Sequence, residues 1–283
     1  MAALKALLLG GVAWNTMVYV DEFPAPQPHT TFARGLHEAV GSSGAGKALN
    51  FSYLGADTTL WGLIGDDGAG RRVRDALSAG GVRFLAAIDP AGTMRHVNLM
   101  NAAGDRISIF ANAGSQEYRI DTTTVAAAAA AADIVSVTIM NYCRQFLPLL
   151  RNLGKDIWVD VHDYDGVDPY HAEFVAAADY LFMSSHAMPD WRAFLEGRVA
   201  AGTRAAVCTH GAAGASGLTA ADGWVDVAAH EVATVVDTNG AGDAFFAGFA
   251  AAWVQGAPLA AAMQDGATLA AAAVQSLELA PSR

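Results

Sequence analysis

The sequence predicts an α/β fold in which a mostly parallel central sheet is covered by helices on both faces and carries a smaller β-sheet beside it. Short apolar runs of strand character alternate with helical stretches along most of the chain, the pattern of buried parallel strands joined by crossover helices. Residues 18–32 and 92–110 break that rhythm with β-branched and aromatic residues mixed with polar ones, as in a half-solvated sheet. With 283 residues, 53% of them hydrophobic, the chain can bury a substantial core, and residues 1–283 are expected to form a single domain.

The elements follow in order. Residues 5–12 are apolar and broken by Gly10-Gly11. Behind a single lysine they imitate a secretory leader, but the strand-like sequence that follows favours a buried first strand. Strands are expected at residues 58–64, 133–140, 157–161, 180–183 and 205–209, with helices at 68–79, 145–152, 170–178 and 189–195. The alanine run 126–132 reads as a helix with Asp121 and Thr122 as caps, because alanine has the best helix propensity. Residues 244–264 are uncharged over the length of a membrane span. Gly248, Gln255, Gly256 and Pro258 interrupt them, so they read as a buried helix, a turn and the start of another helix. The smaller sheet is assigned to residues 15–35 and 92–112, with a turn at 101–105, and is placed to act as a lid.

Charge narrows the function. Lys+Arg 17 against Asp+Glu 28 give a net charge of −11, which offers no footprint for nucleic acid or an anionic membrane. Any phosphate must be met by local groups. Cys143 and Cys208 lie in apolar runs without metal or disulfide spacing, which points to a cytoplasmic setting.

The most informative segment is Asp237-Thr238-Asn239-Gly240-Ala241-Gly242-Asp243-Ala244-Phe245-Phe246-Ala247-Gly248. A strand-like entry, a turn of small residues and an apolar helical run put Gly240, Ala241 and Gly242 at a helix N-terminus. Unpaired amides and the positive dipole end there make an anion site. Asp243 would hold a carboxylate beside that anion, or would serve only to stabilise the helix start.

This string resembles the second signature of the ribokinase-like (PfkB) carbohydrate kinases, DTxGAGDxFxxG. The likeness extends along the chain. Gly41-Ser42-Ser43-Gly44-Ala45-Gly46-Lys47-Ala48 with Leu54-Gly55-Ala56 is similar to the family's first signature, GGxxxNxAxxxxxLG. Gly65-Asp66-Asp67-Gly68-Ala69-Gly70 and Gly80-Gly81-Val82 resemble its GDDxxG and GV elements, Gly104-Asp105-Arg106 its lid turn, and Thr209-His210-Gly211-Ala212-Ala213-Gly214 the TxGxxG loop beside the nucleotide. The resemblance implies a three-layer ribokinase-like fold with a β-sheet lid and transfer of the γ-phosphoryl group of ATP to a hydroxyl, in particular a hydroxymethyl, of a small carbohydrate. It implies Asp243 as general base and Gly240, Ala241 and Gly242 as the anion hole. Asn15, Gly41, Gly44, Gly46 and Lys47 fall on sugar-binding positions, and Thr209, Gly211, Gly214 and Asn239 on nucleotide-binding ones. Asp237 falls where a monovalent cation such as K⁺ is held, and Mg²⁺ accompanies ATP. A homodimer through the lid is a further implication. The same scaffold serves nucleoside kinases, and a sugar-binding protein that has lost catalysis is the rival from another class.

Departures from the family pattern bear on these roles. Asn15 stands where Asp is frequent, Gly46 where the first signature carries Asn, and Ser184-Ser185-His186-Ala187-Met188 where many members carry NxxE. Gly41 to Ala48 also fits GxxxxGK, but Ala48 replaces the Ser or Thr that ligates Mg²⁺, and residues 34–40 are not a buried central strand. The cluster Asp160, His162, Asp163, Asp165, Asp168 and His171 invites a metal, yet its loose spacing suits a solvated loop and a helix cap, and it is left outside the site. Trp61, Trp158 and Trp253 read as core, and Trp14, beside Asn15, could border substrate.

Overall fold

In the computed structural model, which describes residues 3–102 and 105–281, strands and helices alternate as the hydrophobic pattern dictates. The chain runs β1 (Lys5–Leu9), β2 (Ala13–Tyr19), β3 (Gly35–Gly41), α1 (Ser43–Tyr53), β4 (Asp57–Ile64), α2 (Gly68–Ala79), β5 (Arg83–Ile88), β6 (Arg95–Met100), β7 (Arg106–Asn112), α3 (Thr123–Ala131), β8 (Ile134–Val137), α4 (Phe146–Asn152) and β9 (Ile157–Asp160). It continues through α5 (Ala172–Ala177), β10 (Tyr180–Ser184), α6 (Trp191–Ala200), β11 (Ala205–Thr209), β12 (Ala215–Thr219), β13 (Gly223–Val227), α7 (Ala241–Val254) and α8 (Leu259–Ala273).

The larger sheet has the order β13-β12-β11-β10-β9-β8-β1-β4-β5. It is parallel from β5 to β11, and β12 and β13 close one edge as an antiparallel pair. The chain leaves β1 in both directions. Such a switch point is where open α/β sheets bind ligands, beyond the carboxyl ends of their strands. The period of two sends Leu8 to one face, with Phe51, Trp158, Phe182, Phe246 and Phe249, and sends Leu7 and Leu9 to the other, with Trp61, Phe146, Val159 and Phe174. Phe246 packs edge-on against Phe51 and Trp158 and so fixes α7 against α1 and the sheet. Its truncation is worth about 3–5 kcal/mol.

Local chemistry explains several boundaries. In α2 the side chains of Val73 and Leu77 share the buried face, and the Asp67 carboxylate accepts from the Gly70 amide at the N-cap. At the alanine helix α3 the capping bond comes from Asp121, whose Oδ1 accepts from the Thr123 amide, and Thr122 makes none. The segment 244–264 resolves into α7, a turn and α8. Among the described residues no helix is long and apolar enough to cross a membrane.

The smaller sheet has the order β3-β2-β6-β7, and here the expected bounds need correction. Its first segment is two strands, 13–19 and 35–41, joined by an irregular stretch where residues 20–34 were expected to continue as strand. Pro24, Pro26 and Pro28 remove backbone donors from that stretch and keep it out of the ladder. Gly104 of the expected lid turn lies outside the described residues.

Candidate active site

Four chain segments meet beyond the carboxyl ends of β1, β9 and β11. Gly240, at φ 86°, turns the chain into α7, a left-handed conformation that glycine adopts without penalty. Ala241, Gly242 and Asp243 form the first turn, where backbone amides have no intrahelical acceptor. The Ala241 amide makes only a long turn contact, 3.3 Å, to the Thr238 carbonyl. A Cβ on Gly242 would meet nothing within 4 Å, so this side of the turn faces open space.

The Asp243 carboxylate is held from α1. Lys47 Nζ lies 2.5 Å from Asp243 Oδ1, 2.9 Å from Asp160 Oδ2 and 2.8 Å from Ser43 Oγ. Its side chain is 1% exposed and those of Asp160 and Asp243 are 12% and 11%. Burial acts to lower the pKa of Lys47, but the two carboxylates outweigh it and raise that value above the ordinary lysine range. Burial likewise opposes ionisation of Asp160, yet the His162 and Lys47 charges, with hydrogen bonds from both residues, hold it below the usual carboxylate range. All three ammonium protons therefore have partners, the condition under which a buried ion group is tolerated.

Glycines let these parts approach. A Cβ on Gly46 would stand 2.2 Å from Asp243 Oδ2, one on Gly44 would stand 2.5 Å from the Gly11 carbonyl oxygen, and one on Gly41 would stand 2.0 Å from Asn15 Nδ2. Ser42, which leads into α1, and His162, which leaves β9, have φ of 74° and 51°. For non-glycine residues this is stored strain, and both sit at the site.

Asn15 lies on β2 with Tyr19 on the same face, and the Tyr19 hydroxyl donates to Asp237 Oδ2. Burial and the adjacent Asp237 charge push the Tyr19 pKa up. His96 of β6 is in register with Asn15. Asn15 Oδ1 and His96 Nε2 are both buried without a hydrogen-bond partner. Trp14 points to the other face, under the guanidinium of Arg72, away from Asn15 rather than alongside it.

A cavity of about 510 Å³ is walled by Thr209, Gly211, Gly214, Thr238, Ala241, Gly242 and Phe245, with Val274 and alanines of α8 completing its apolar side. Gly214 is fixed by φ 99° and by the Val227 carbonyl, which a Cβ would meet at 2.0 Å. Asn239 does not line this cavity. Its Oδ1 accepts from Arg106 of β7, and its amide donates to Asp237 Oδ1. Within the segment that departs from NxxE, Ser185 Oγ bonds His210 Nδ1 at 2.9 Å.

Sequence reasoning missed Asp160, His162, Ser43, Tyr19, His96 and Arg106. The signal for Asp160 was its place at the end of a buried parallel strand. The rest of its cluster behaves as a loop and cap, with Asp165 accepting from the amides of Val167 and Asp168, and Asp168 from that of Tyr170. Among the described residues no three His, Cys, Asp or Glu side chains are grouped to hold a metal ion.

A family model, that of the pfkB family carbohydrate kinases, matches residues 12–282. An acarbose 7(IV)-phosphotransferase of Actinoplanes sp. is 33% identical over 257 residues, covering 89% of this chain and 86% of the relative. A nucleoside kinase of Methanothermobacter thermautotrophicus is 28% identical over 268 residues, covering 89% and 84%. The solved structure of a microbiome-derived acarbose kinase, Mak1, superposes with a TM-score of 0.87 at 31% identity, covering 99% of this chain and 96% of that one.

Proposed function

The chain belongs to the pfkB family of carbohydrate kinases, and on that footing we propose that it phosphorylates a hydroxyl, in particular a hydroxymethyl, of a small carbohydrate or carbohydrate-like compound, with ATP as donor. One observation carries the proposal: the cavity between the Thr209–Gly214 loop and α8 is walled by Ala241 and Gly242, immediately before a carboxylate fixed in the first turn of the same helix. The nucleotide takes the cavity, its base against the apolar wall and its phosphates toward the α7 turn.

Phosphoryl transfer asks a protein for positioning and charge stabilisation. The amides of Gly240, Ala241 and Gly242 and the dipole of α7 meet the charge on the transferring group. Asp243 accepts the proton of the substrate hydroxyl as that oxygen bonds to the γ-phosphorus and ADP leaves. Asn15, and beside it His96, have buried polar atoms unsatisfied in the protein, which sugar hydroxyls would satisfy. By omission of a side chain Gly41 admits Asn15, Gly46 admits Asp243, and Gly44 lets α1 approach the Gly10-Gly11 backbone. Lys47 has no proton left for a sugar and acts on substrate only through Asp243.

Among the described residues no cluster of carboxylates is grouped to hold Mg²⁺, which we place on the nucleotide phosphates. Asp237 suits a monovalent cation: it is 4% exposed, accepts from Tyr19 and Asn239, and has no cationic partner among the described residues. K⁺ bound there would neutralise a buried charge next to the anion site. The smaller sheet we assign as the lid. Leu36, Ile107 and Ile109 are exposed on it, Ile107 and Ile109 on the face of β7 away from Asn15, and would be covered in a homodimer, which sedimentation would detect. Two free buried cysteines agree with a cytoplasmic setting.

ADP release from Mg-ATP with K⁺ present tests the proposal. Acarbose, for which two relatives are named, comes first, followed by pentoses, hexoses, ketoses, sugar acids and nucleosides. The 28% identity to a nucleoside kinase keeps nucleosides as the second reading. Asp243→Asn is expected to lower kcat on the order of a hundredfold to ten-thousandfold. A near-normal rate in that variant overturns the assignment.

A further inference from the structure

We propose that Lys47 and Asp160 act together as a positioning pair for the Asp243 carboxylate, Lys47 fixing its orientation and Asp160 cancelling the charge that Lys47 brings. The inference rests on the assignment of Asp243 as the base.

Lys47 is an unusual choice for the wall of a sugar pocket. Its Nζ is sealed between α1, α7 and the end of β9, 5.0 Å from the Phe246 ring centroid. Its three protons go to Ser43, Asp160 and Asp243, so it offers substrate nothing. What it offers Asp243 is a fixed rotamer, since a carboxylate tied at one oxygen cannot swing away from the position where the hydroxyl must arrive.

A lone ammonium would do this at a cost to basicity. In a water-poor site an uncompensated positive charge stabilises the carboxylate and opposes its protonation, and protonation of Asp243 is what the reaction requires. Asp160 removes that conflict. With Asp243 ionised the three groups carry a net charge of −1, and when Asp243 takes the hydroxyl proton they carry zero. Without Asp160 the same step would run from zero to +1. His162 is the other titratable group facing the cluster; its Nδ1 lies 3.4 Å from Asp160 Oδ2, the oxygen that also accepts from Lys47. Ser43 completes the ammonium's hydrogen bonding without adding charge.

The test is the pH profile of kcat and the sugar KM in four variants, with Asp243→Asn as reference. In Asp160→Asn the Lys47 charge falls on Asp243 alone, so the acidic limb of kcat moves down by about one to three pH units. Its kcat above the limb falls about tenfold or more because the base is weaker. In Lys47→Met two carboxylates are left adjacent and the limb moves up. In the double variant the limb returns toward its original position while kcat stays low, because the carboxylate is no longer tied. His162→Gln, which removes a group in contact with Asp160 and not with Asp243, moves the limb less than either single variant of the pair.

Opposite shifts in the two single variants make either one sufficient if the other fails to fold. Unmoved limbs in both, with Asp243→Asn inactive, overturn the pairing. A raised sugar KM with an unmoved limb in Lys47→Met overturns it in favour of direct substrate contact. A limb that moves as far in His162→Gln as in Asp160→Asn belongs to that imidazole and also overturns it. Near-normal turnover in Asp243→Asn is a different failure, that of the base assignment itself.

Discussion

Gly46→Ala adds a single carbon at the point where α1 faces the Asp243 carboxylate, the base of the proposed mechanism. The new Cβ would lie 2.2 Å from Asp243 Oδ2, 2.9 Å from its Cγ and 3.0 Å from its Cβ. Rotation of the carboxylate cannot relieve this, because the Asp243 Cβ is itself too close and Oδ1 is tied to Lys47. The helices α1 and α7 must separate, or Asp243 must adopt another rotamer and release the ammonium. Overpacking of this kind costs about 1–3 kcal/mol. For a chain of this size that is a fall in Tm of about 2–4 °C per kcal/mol. On the proposed mechanism, displacement of Asp243 by about an ångström lowers kcat on the order of a hundredfold, while the KM for ATP stays near its original value because the cavity proposed for the nucleotide is not touched. Steady-state kinetics with a melting curve read both. A Gly46→Ala enzyme with unaltered kcat and Tm would refute the claim that this glycine exists to admit Asp243.

Three further outcomes are expected. Asn15→Ala should raise the sugar KM about tenfold, the equivalent of one lost hydrogen bond of about 1.4 kcal/mol, and leave the ATP KM unchanged in the same assay. Gly214→Ala, with φ 99° and the Val227 carbonyl 2.0 Å from the new Cβ, should weaken nucleotide binding and lower Tm by several degrees, seen by titration calorimetry and melting. Burial, with Arg106 adding to it, pushes the His96 imidazole down to about 4 from 6.5. Its folded-state value lies below the unfolded one, so its contribution is present above pH 6.5 and is lost as pH falls toward 4. In His96→Gln the melting temperature should fall less steeply across that window.

The fold was legible where apolar periodicity was unambiguous. The run 157–161 and the helix 68–79 announce themselves by buried-strand and amphipathic patterns, and the structure places them within a residue or two. The strand β3 was harder, since Gly35–Gly41 is stabilised by pairing with β2 rather than by its own composition. The anion turn was legible because one continuous string carries the glycines, the helix start and Asp243. Asp160 was not, because it enters the site through a strand separated by 113 residues from Lys47, and a carboxylate in a loop-like acidic cluster gives no local sign of its partner.

Gly46 and Lys47 are best understood together. An Asn at position 46, as in the family's first signature, would put a Cβ 2.2 Å from the present position of Asp243 Oδ2 and would oppose the close approach of α7 to α1. With glycine there the carboxylate settles against the helix backbone, within 2.5 Å of Lys47 Nζ, and a long cation at the next position becomes able to hold it. The consequence is testable with Gly46→Asn and Lys47→Gln, made singly and combined. Once Asn has pushed the carboxylate out of reach of the ammonium, removing that ammonium has little left to take away. The double variant should therefore lose about as much kcat as Gly46→Asn alone, and less than the product of the two single losses, the non-additivity expected of residues that act through one contact. Single losses that multiply would show that the glycine and the lysine serve Asp243 independently.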